Sequence, residues 1–543
     1  MQAQNPTTIP VLIVGGGPVG LAMALLMHRF EVPCVVIERN LGTTDNPKSR
    51  GCWIRTMELF RQWGIESRIR ARGLGNGSDV FVYVDSIAGQ EYGRTQPEPN
   101  EFKSPTWKCI VAQDAVEEEL YRALVDSPHV RLLHGTEFVS LSQTADAVTV
   151  LTRRLEDGKT ATWTASYVVG ADGAGSDVRR SLDIEMTGPS TLAVMANDYW
   201  RGDLSGVPAA QNVGGFRVIS RRPGVPISTI LNTNGRDRWL TVTQIGEQED
   251  ERPTPWTDED VVRNARRQTG IEDLDVQIIH RSTWRMSRQV AARFGKGRVF
   301  LAGDAAHRFP PTGGFGLNSG VQDAHNLAWK LAYVLGGWAD ASLLATYDGE
   351  RRPVAESNAD FSYGNRLRYR HTEDAIRSGN EDRMRFWIND TDNHLHSIGQ
   401  ALGFSYVSAA VIQDGTVAKA LQARHYTPSD RPGGRFPHLW LDLARTCSTL
   451  DWFDRQFVVV AGPLGFAWQE ACKQVADATG LPLTFRQLPT VEAASGFEMG
   501  MRGAVLVRPD GHVAWRRPWI SSEPARELAE ALQGVVGLET VIA

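Results

Sequence analysis

VLIVGGGPVGLAMALLMHRFEVPCVVIER, Val11–Arg39, is the stretch that decides the fold. Val11–Val14 is a short apolar run ending at glycines, which reads as a strand buried on both faces. Pro18 suits the first turn of a helix, and apolar positions continue through Leu21, Leu25 and Met27. Cys34–Arg39 supplies a second strand, so a β-α-β unit is complete within about thirty residues. Its first turn has the spacing G-x-G-x-x-G. Gly15 permits the tight turn, Gly17 lets a pyrophosphate approach the backbone, and Gly20 allows helix and strand to pack closely. The helix start at Pro18 offers N–H groups and a positive dipole to phosphates. Glu38, at the end of the second strand, is placed to accept hydrogen bonds from ribose hydroxyls. The context on both sides of the glycines therefore points to a dinucleotide.

A chain of 543 residues is too long for one ordinary core and suggests about three units. With 42% hydrophobic and 22% charged residues, the composition is that of a soluble globular protein. The net charge of −5, with the signs interspersed, gives no reason to expect nucleic acid as a partner. No apolar run reaches the length of a membrane span. The first ten residues lack a basic segment and lead straight into a strand, so no signal peptide is expected and the location reads as cytoplasmic. The cysteines (Cys34, Cys52, Cys109, Cys447, Cys472) are odd in number and show no C-x-x-C. Reduced thiols are expected, with neither a metal site nor a disulfide framework.

Along the rest of the chain, helices are expected around Thr56–Trp63 and over Asp114–Leu124. Short strands follow over 130–170, with a turn at Glu156-Asp157-Gly158 and a buried strand at Ser166–Gly170. From about residue 190 to 284 the pattern changes to alternating runs, Gly/Pro turns and several tryptophans (Trp200, Trp239, Trp284). That reads as a mostly antiparallel sheet inserted into the nucleotide domain. Arg298–Gly303 is another buried strand, followed by a long helix after Asn318 and a helix-rich stretch to about 400. Tyr426–Pro437 is rich in turn-formers and reads as a linker or domain entry. Beyond it, Phe457–Gly462, a helix over Ala467–Ala478, Leu483–Leu488, a turn at Pro509-Asp510-Gly511 and a helix from Pro524 make a small α/β domain.

GDAAHRFPPTGGFGLNSGVQDAHNLAWK, Gly303–Lys330, is a second ligand-contacting loop far from the first. An NAD enzyme has no need of one, but FAD does, because its ribityl chain and ring extend beyond the first β-α-β unit. No second G-x-G-x-x-G follows a strand, so a nicotinamide co-substrate would lack its own Rossmann domain. Pro310 and Pro311 hold the loop extended, and Gly313, Gly314 and Gly316 let the backbone approach a planar ring. The helix beginning near Asn318 points its positive end at that loop, which would stabilise negative charge on a reduced flavin. His307 reads equally as a base or as a histidine packed under the loop.

Three motifs in order resemble the single-component, FAD-dependent aromatic hydroxylases, the class A flavoprotein monooxygenases. They are GGGPVG with Glu38-Arg39, the stretch VGADGAGSDVR at Val169–Arg179, and Gly303-Asp304 followed by HRFPPTGG at His307–Gly314. NSGVQDAHNLAWKLAYVL and LLATYDGERRPVA strengthen a likeness that covers about residues 8–400. Pro47–Ile65 is similar to the corresponding segment of phenol and dichlorophenol hydroxylases and of polyketide-tailoring hydroxylases. PHLWL at Pro437–Leu441, STLDWF and VLVRPDGHVAWR resemble the thioredoxin-like extension of those enzymes. Cys447-Ser448-Thr449-Leu450 stands in this copy without a C-x-x-C, so dithiol chemistry is not expected there.

The resemblance implies an α/β fold with a Rossmann-like FAD-binding domain of the hydroxybenzoate-hydroxylase type, discontinuous over 1–75, 105–189 and 285–400. A substrate-binding sheet domain would comprise 76–104 and 190–284, with a linker at 401–436 and a thioredoxin-like domain at 437–543. It also implies that Asp304 bonds the ribityl chain and that Asp172 lies near the pyrophosphate and shapes the nicotinamide path. Arg39 and Gln113 would contact FAD, and Gly316, Leu317 and Asn318 would lie by the ring. Gly15, Gly17, Pro18, Gly20, Arg50, Gly303, Pro311 and Gly314 would complete the cofactor site. The implied activity uses NADPH or NADH and O2 to hydroxylate an electron-rich ring (phenol, hydroxypyridine or aromatic polyketide) through a flavin C4a-hydroperoxide. Secondary-metabolite biosynthesis is the expected setting, with catabolic phenol hydroxylation as the alternative. Ring activation needs a base or a nearby positive charge, and Arg50, Tyr199, Arg217 and Arg238 are the candidates, among which sequence does not choose. The expected partner is a small aromatic substrate, with a homo-oligomer left open. A halogenase or reductase on this scaffold would be a different chemistry, and the W-x-W-x-I-P stretch of such halogenases is absent. A non-enzymatic FAD-binding scaffold is the third reading.

Overall fold

The computed structural model describes residues 7–247, 256–490, 495–519 and 521–538. The opening stretch forms β1 (Thr7–Val14), α1 (Pro18–Arg29) and β2 (Cys34–Ile37). β1 pairs in parallel with β2 on one side and with the strand Thr160–Gly170 on the other. Val130–Leu133 and Val299–Leu301 extend the parallel sheet outward from these. The strand order therefore reverses beside β1, and the crevice outside the carboxyl ends at such a switch point is where open α/β sheets hold ligands. α1 is buried at every position from Gly20 to Met27, because it is wedged between the sheet and two further helices, Gln113–Arg122 and α2 (Phe315–Leu335). α3 (Thr346–Ser378) packs along α2.

A seven-stranded sheet forms the second layer, with the order Gln277–Met286, Ala193–Arg201, Arg238–Gly246, Ser228–Asn232, Gly215–Val218, Phe81–Val84, Glu91–Arg94. It is antiparallel except where Phe81–Val84 runs beside Gly215–Val218. One face buries its own core around Val82, Phe216 and the stacked rings of Trp200 and Trp239. The other face, carrying Met195, Asn197, Leu240, Val242 and Trp284, looks back at the nucleotide domain. Period-two alternation along these strands is what separates the two faces.

The C-terminal domain is a four-stranded sheet ordered Leu483–Gln487, Phe457–Ala461, Ala504–Val507, Val513–Arg517, with the first pair parallel and the others antiparallel. Helices Ala467–Thr479 and Pro524–Val536 pack with it. Its core is continuous with the C-terminal half of α2: Trp329 and Tyr333 meet Phe457 edge-on at 5.7 and 5.5 Å. All five cysteines are free, and of these Cys447 is exposed. Among the described residues, no helix is long and apolar enough to cross a membrane.

Two expected boundaries fall inside elements, and one expected linker is packed. The strand Gln277–Met286 crosses 284/285, because its ladder with Ala193–Arg201 continues to the pair Ala193 and Met286. The helix Ile398–Leu402 crosses 400/401. The segment 401–436 is no free linker. Tyr406, Ala410, Tyr426, Asp430 and Arg435 within it are buried, and Arg435 makes a two-pronged ion pair with Glu58 of the nucleotide domain. Turn-forming residues mark chain reversals, and such reversals can be packed as tightly as a strand.

Candidate active site

A cavity of about 2040 Å³ opens at the carboxyl ends of β1 and β2 and extends to the inward face of the seven-stranded sheet. Pockets for a single drug-sized ligand occupy roughly 300–1,000 Å³, so this one has room for a cofactor and a substrate together. Gly15, Gly16, Gly17, Pro18, Glu38, Arg39 and Gln113 line one end. The three motif glycines do different work. A Cβ on Gly15, whose φ is +106°, would sit 2.3 Å from the Ala171 carbonyl oxygen, and one on Gly20 would sit 1.9 Å from that of Gly15. A Cβ on Gly17 would meet nothing within 4 Å. Gly15 and Gly20 are thus demanded by packing, and Gly20 does not reach the lumen, whereas Gly17 borders open space at the uncapped start of α1. The Glu38 carboxylate accepts from the Gly16 N–H at 2.6 Å and from the Asn40 backbone N–H at 2.8 Å. That fixes it at the lip, beside exposed Arg39.

The second loop forms the other wall. Gly303 is packed between α1 and α2: a Cβ there would meet Val19 Cγ2 at 2.9 Å, and its N–H donates to Asp323 Oδ2 at 3.1 Å. It does not line the cavity, so its expected cofactor contact is corrected to a packing role. The next residue, Asp304, does line it. Its carboxylate receives no hydrogen bond from any described residue. It is exposed toward the lumen, and desolvation by the protein around it pushes its pKa up against the pull of His307, Arg308 and Lys48. His307 turns out to be the packed alternative. It is wholly buried, its Nε2 lies 2.6 Å from Asp323 Oδ2, and its ring stacks on Phe309 at 4.7 Å. Asp323 also accepts from Arg351 Nε at 2.8 Å. Burial raises the Asp323 carboxyl, but its contacts with His307 and Arg351 outweigh it and hold the group below the ordinary aspartate range.

Pro311, Gly314, Phe315, Gly316 and Leu317 carry the wall to the start of α2. Gly314, at φ +67°, is clamped by Trp53: a Cβ would fall 2.5 Å from Cζ2 of that ring. No side chain caps α2 and no acidic residue sits in its first turn, so the positive helix end faces the lumen uncompensated. Asn318 is corrected. It is fully buried and off the cavity, because its amide is fully engaged elsewhere. Oδ1 accepts from Trp53 N and Thr56 Oγ1, both at 2.7 Å, while Nδ2 donates to the Gly314 and Gly51 carbonyls at 2.7 and 3.1 Å.

These features fit FAD. Gly17 and the α1 start would take the pyrophosphate, Glu38 the ribose, Asp304 the hydroxyl-rich ribityl chain, and the uncapped α2 start the electron-rich edge of the ring. When bound, FAD supplies the redox chemistry, taking a hydride from reduced nicotinamide and activating O2. Asp172 borders the cavity, but both of its carboxylate oxygens serve the local turn, accepting from Ser176 Oγ at 2.5 Å and Val178 N at 3.1 Å.

The four candidates for ring activation separate. Arg50 lines the cavity but bridges two domains, with its Nη1 donating to the carbonyls of Gly214 and, at 3.0 Å, Asn232. Arg217 lines it too, paired with Glu373 and bonded to Thr229 Oγ1 at 2.6 Å. Tyr199 and Arg238 do not reach the lumen. Tyr199 is buried on the sheet face that carries Asn197 but lies beyond the lining residues, and Arg238 sits at the start of its strand. Sequence reading missed Lys48, Trp53, Tyr369 and His394, all of them on the cavity or its rim. Lys48 and Trp53 lay inside a segment already singled out. Tyr369 and His394 carry no local pattern that marks them.

The model of the family described as "FAD binding domain" matches residues 8–362, and that described as "Aromatic-ring hydroxylase, C-terminal" matches 429–538. The chain belongs to the FAD-dependent aromatic-ring hydroxylases. This hydroxylase is 33% identical to 4-methyl-5-nitrocatechol 5-monooxygenase of a Burkholderia species, over 97% of both chains. It is 34% identical to tetracenomycin A2 monooxygenase-dioxygenase of Streptomyces glaucescens, again over 97% of each. Its structure superposes on the flavin-dependent monooxygenase PieE, solved with FAD and substrate, with a TM-score of 0.91 at 31% identity, covering 98% and 100% of the two chains. The hydroxylase is accordingly an FAD-dependent monooxygenase that consumes reduced nicotinamide and O2.

Proposed function

We propose that this hydroxylase acts on a polycyclic phenol of the aromatic-polyketide kind, in biosynthesis rather than in the breakdown of simple phenols. Identity does not separate the two, since relatives named for a nitrocatechol and for tetracenomycin A2 are equally near. The supporting observation is the cavity. Its substrate half spans from the Pro311–Leu317 wall across to Met195, Leu240, Val242, Trp284 and Met286 on the sheet, a broad slot in which these apolar side chains share the lining with polar and charged ones such as Asn197, Arg217 and Arg370. Such a slot strips water from a large planar ring and leaves a single benzene ring loosely held. The protein's own part is to seat that ring, to exclude water, and to hold its oxygen substituents with the polar groups at the slot's end.

The test is NAD(P)H oxidation together with oxygenated product, measured by mass spectrometry on two panels: hydroxylated anthraquinones and tetracenes, and phenol, catechols and hydroxypyridines. Coupled hydroxylation of the polycyclic panel, with uncoupled or absent turnover of the monocyclic one, is expected. Efficient coupled turnover confined to monocyclic phenols would overturn the reading.

A further inference from the structure

We propose that Asn197 is a specificity-determining residue whose side-chain N–H donates to a ring carbonyl, so that the slot selects a phenol that also carries a keto or quinone oxygen. The proposal rests on the reading of the substrate as a polycyclic phenol. Asn197 lies in the strand Ala193–Arg201, on the sheet face that looks into the cavity, and it lines that cavity. The residue is 7% exposed, so its amide is answered either by the protein or by what enters the cavity. The strand register puts it in one row with Arg217, Thr229 and Val242. Arg217 pairs with Thr229, Thr229 with Val242, and Val242 with Asn197. Arg217 and Asn197 therefore stand three strand spacings apart, about 14 Å along the backbone row, with Thr229 and Val242 between them.

The two ends of the row differ in what they have left to offer. Arg217 is engaged by Glu373 and by Thr229 Oγ1. Asn197 is engaged on one side of its amide. Its Oδ1 accepts from Trp284 Nε1 at 2.8 Å, and Trp284 stands on the same sheet face and lines the cavity too. An indole N–H can only donate, so the amide oxygen must face Trp284 and the NH2 group must face away from it. Nδ2 donates to no described residue, and the residue borders the lumen, so these N–H groups are open to what enters it. A donor of this kind calls for a ligand atom with lone pairs and no proton, and a ring carbonyl is that atom. A phenol oxygen is a weaker acceptor. A bare ring edge would leave the N–H groups buried and unanswered, which costs binding.

The experiment titrates the FAD-loaded enzyme with 2-hydroxyanthraquinone and with 2-hydroxyanthracene, which lacks the carbonyls, following the flavin absorbance. Wild type is expected to prefer the quinone by at least about tenfold. Asn197→Leu, close in volume and without a donor, should remove most of that preference while flavin content and affinity for 2-hydroxyanthracene stay as in wild type. Asn197→Asp keeps an acceptor for Trp284 and presents a carboxylate where the N–H groups stood. In mildly alkaline buffer it should lose the preference at least as fully, and this variant decides the matter should the Leu variant lose its flavin. No preference in wild type, a preference unchanged in either variant, an equal loss for both ligands, or loss of flavin in both variants would overturn the proposal. Binding of neither tricycle by wild type would instead sink the polycyclic reading, and 4-hydroxyacetophenone with 4-ethylphenol would then judge Asn197 in the same way.

Discussion

Ahead of the N-terminal end of α2, Asp304 stands in the lumen with no hydrogen bond from any described residue. Beside the other half of the same helix, Glu350 of α3 is wholly buried and fully engaged. Arg508 grips it with two bonds at 2.6 and 2.9 Å, and Lys330 donates at 2.8 Å. Asn326 and Ser408 complete its shell at 2.7 and 2.6 Å. Asp510, next to it, is bonded by Arg508, Trp329 and Asn326. Both regions hold carboxylates, one open to the lumen and the other wholly buried, and they differ also in who answers them. Where the protein supplies every partner, the charge joins domains. Where it supplies none, the carboxylate stays open to the lumen, where a ligand can meet it.

Removing a partner from the closed network is expected to have the largest effect. Glu350→Ala leaves Arg508 and Lys330 facing each other in the interior and should cost about 3–5 kcal/mol in denaturant unfolding. Flavin content per folded molecule should be unchanged. An effect below about 1 kcal/mol would show that the network is not closed as described.

Asp304→Ala comes next, with the opposite signature. The chain should fold with an undiminished Tm of the flavin-free protein, but FAD affinity should fall roughly tenfold to a hundredfold, the worth of a charged hydrogen bond of ~1.5–3 kcal/mol. Full flavin retention after gel filtration would remove Asp304 from the site.

Acid sharpens the contrast. Burial raises Glu350, but Arg508 and Lys330 outweigh it and hold the carboxyl well below the ordinary glutamate range. A group lower in the folded than in the unfolded chain contributes stability above its unfolded pKa of about 4.3 and loses it as pH falls further. Tm measured from pH 7 down to pH 3 should therefore drop less steeply in Glu350→Gln than in wild type, although the variant starts lower. Asp304, shifted upward, contributes a slope of the other sign, so replacing it should not flatten the acid limb.

Gly17→Ala adds a methyl group into open space and should weaken FAD binding without moving the Tm of the flavin-free protein, whereas Gly20→Ala should lower that Tm. Cys447→Ser, at an exposed free thiol, should change stability by no more than about 0.5 kcal/mol and leave turnover unchanged. A loss of turnover there would revive dithiol or thiol chemistry in the C-terminal domain.

The features legible in the chain were those written in a few consecutive residues. The glycine turn, the buried strands around it, the Pro/Gly loop and the helix after it follow from backbone freedom and local periodicity. The family likeness of the three motifs carried the rest of the nucleotide domain. Less legible was the direction in which a named side chain is drawn. Arg50 was expected near substrate or flavin, and it lines the cavity, yet its guanidinium is held by carbonyls 164 and 182 residues away. Asn318 sits in the first turns of α2 beside the right loop, but its amide is claimed by Trp53, Thr56, Gly51 and Gly314. Segment 401–436 looked like a linker because turn-formers say where the chain bends and not what it packs against.

The sequence by itself determined that this is a two-loop flavin site on a doubly wound sheet, because phosphate and ring binding use backbone groups whose conformations glycine and proline dictate locally. The tertiary structure alone decided which polar groups are left over for the substrate. Tyr199 and Arg238 fall outside the slot and His394 falls inside it, because that choice depends on how a sheet, a helix and a turn from distant parts of the chain converge, and a hydrogen bond is satisfied by whichever partner the fold brings near.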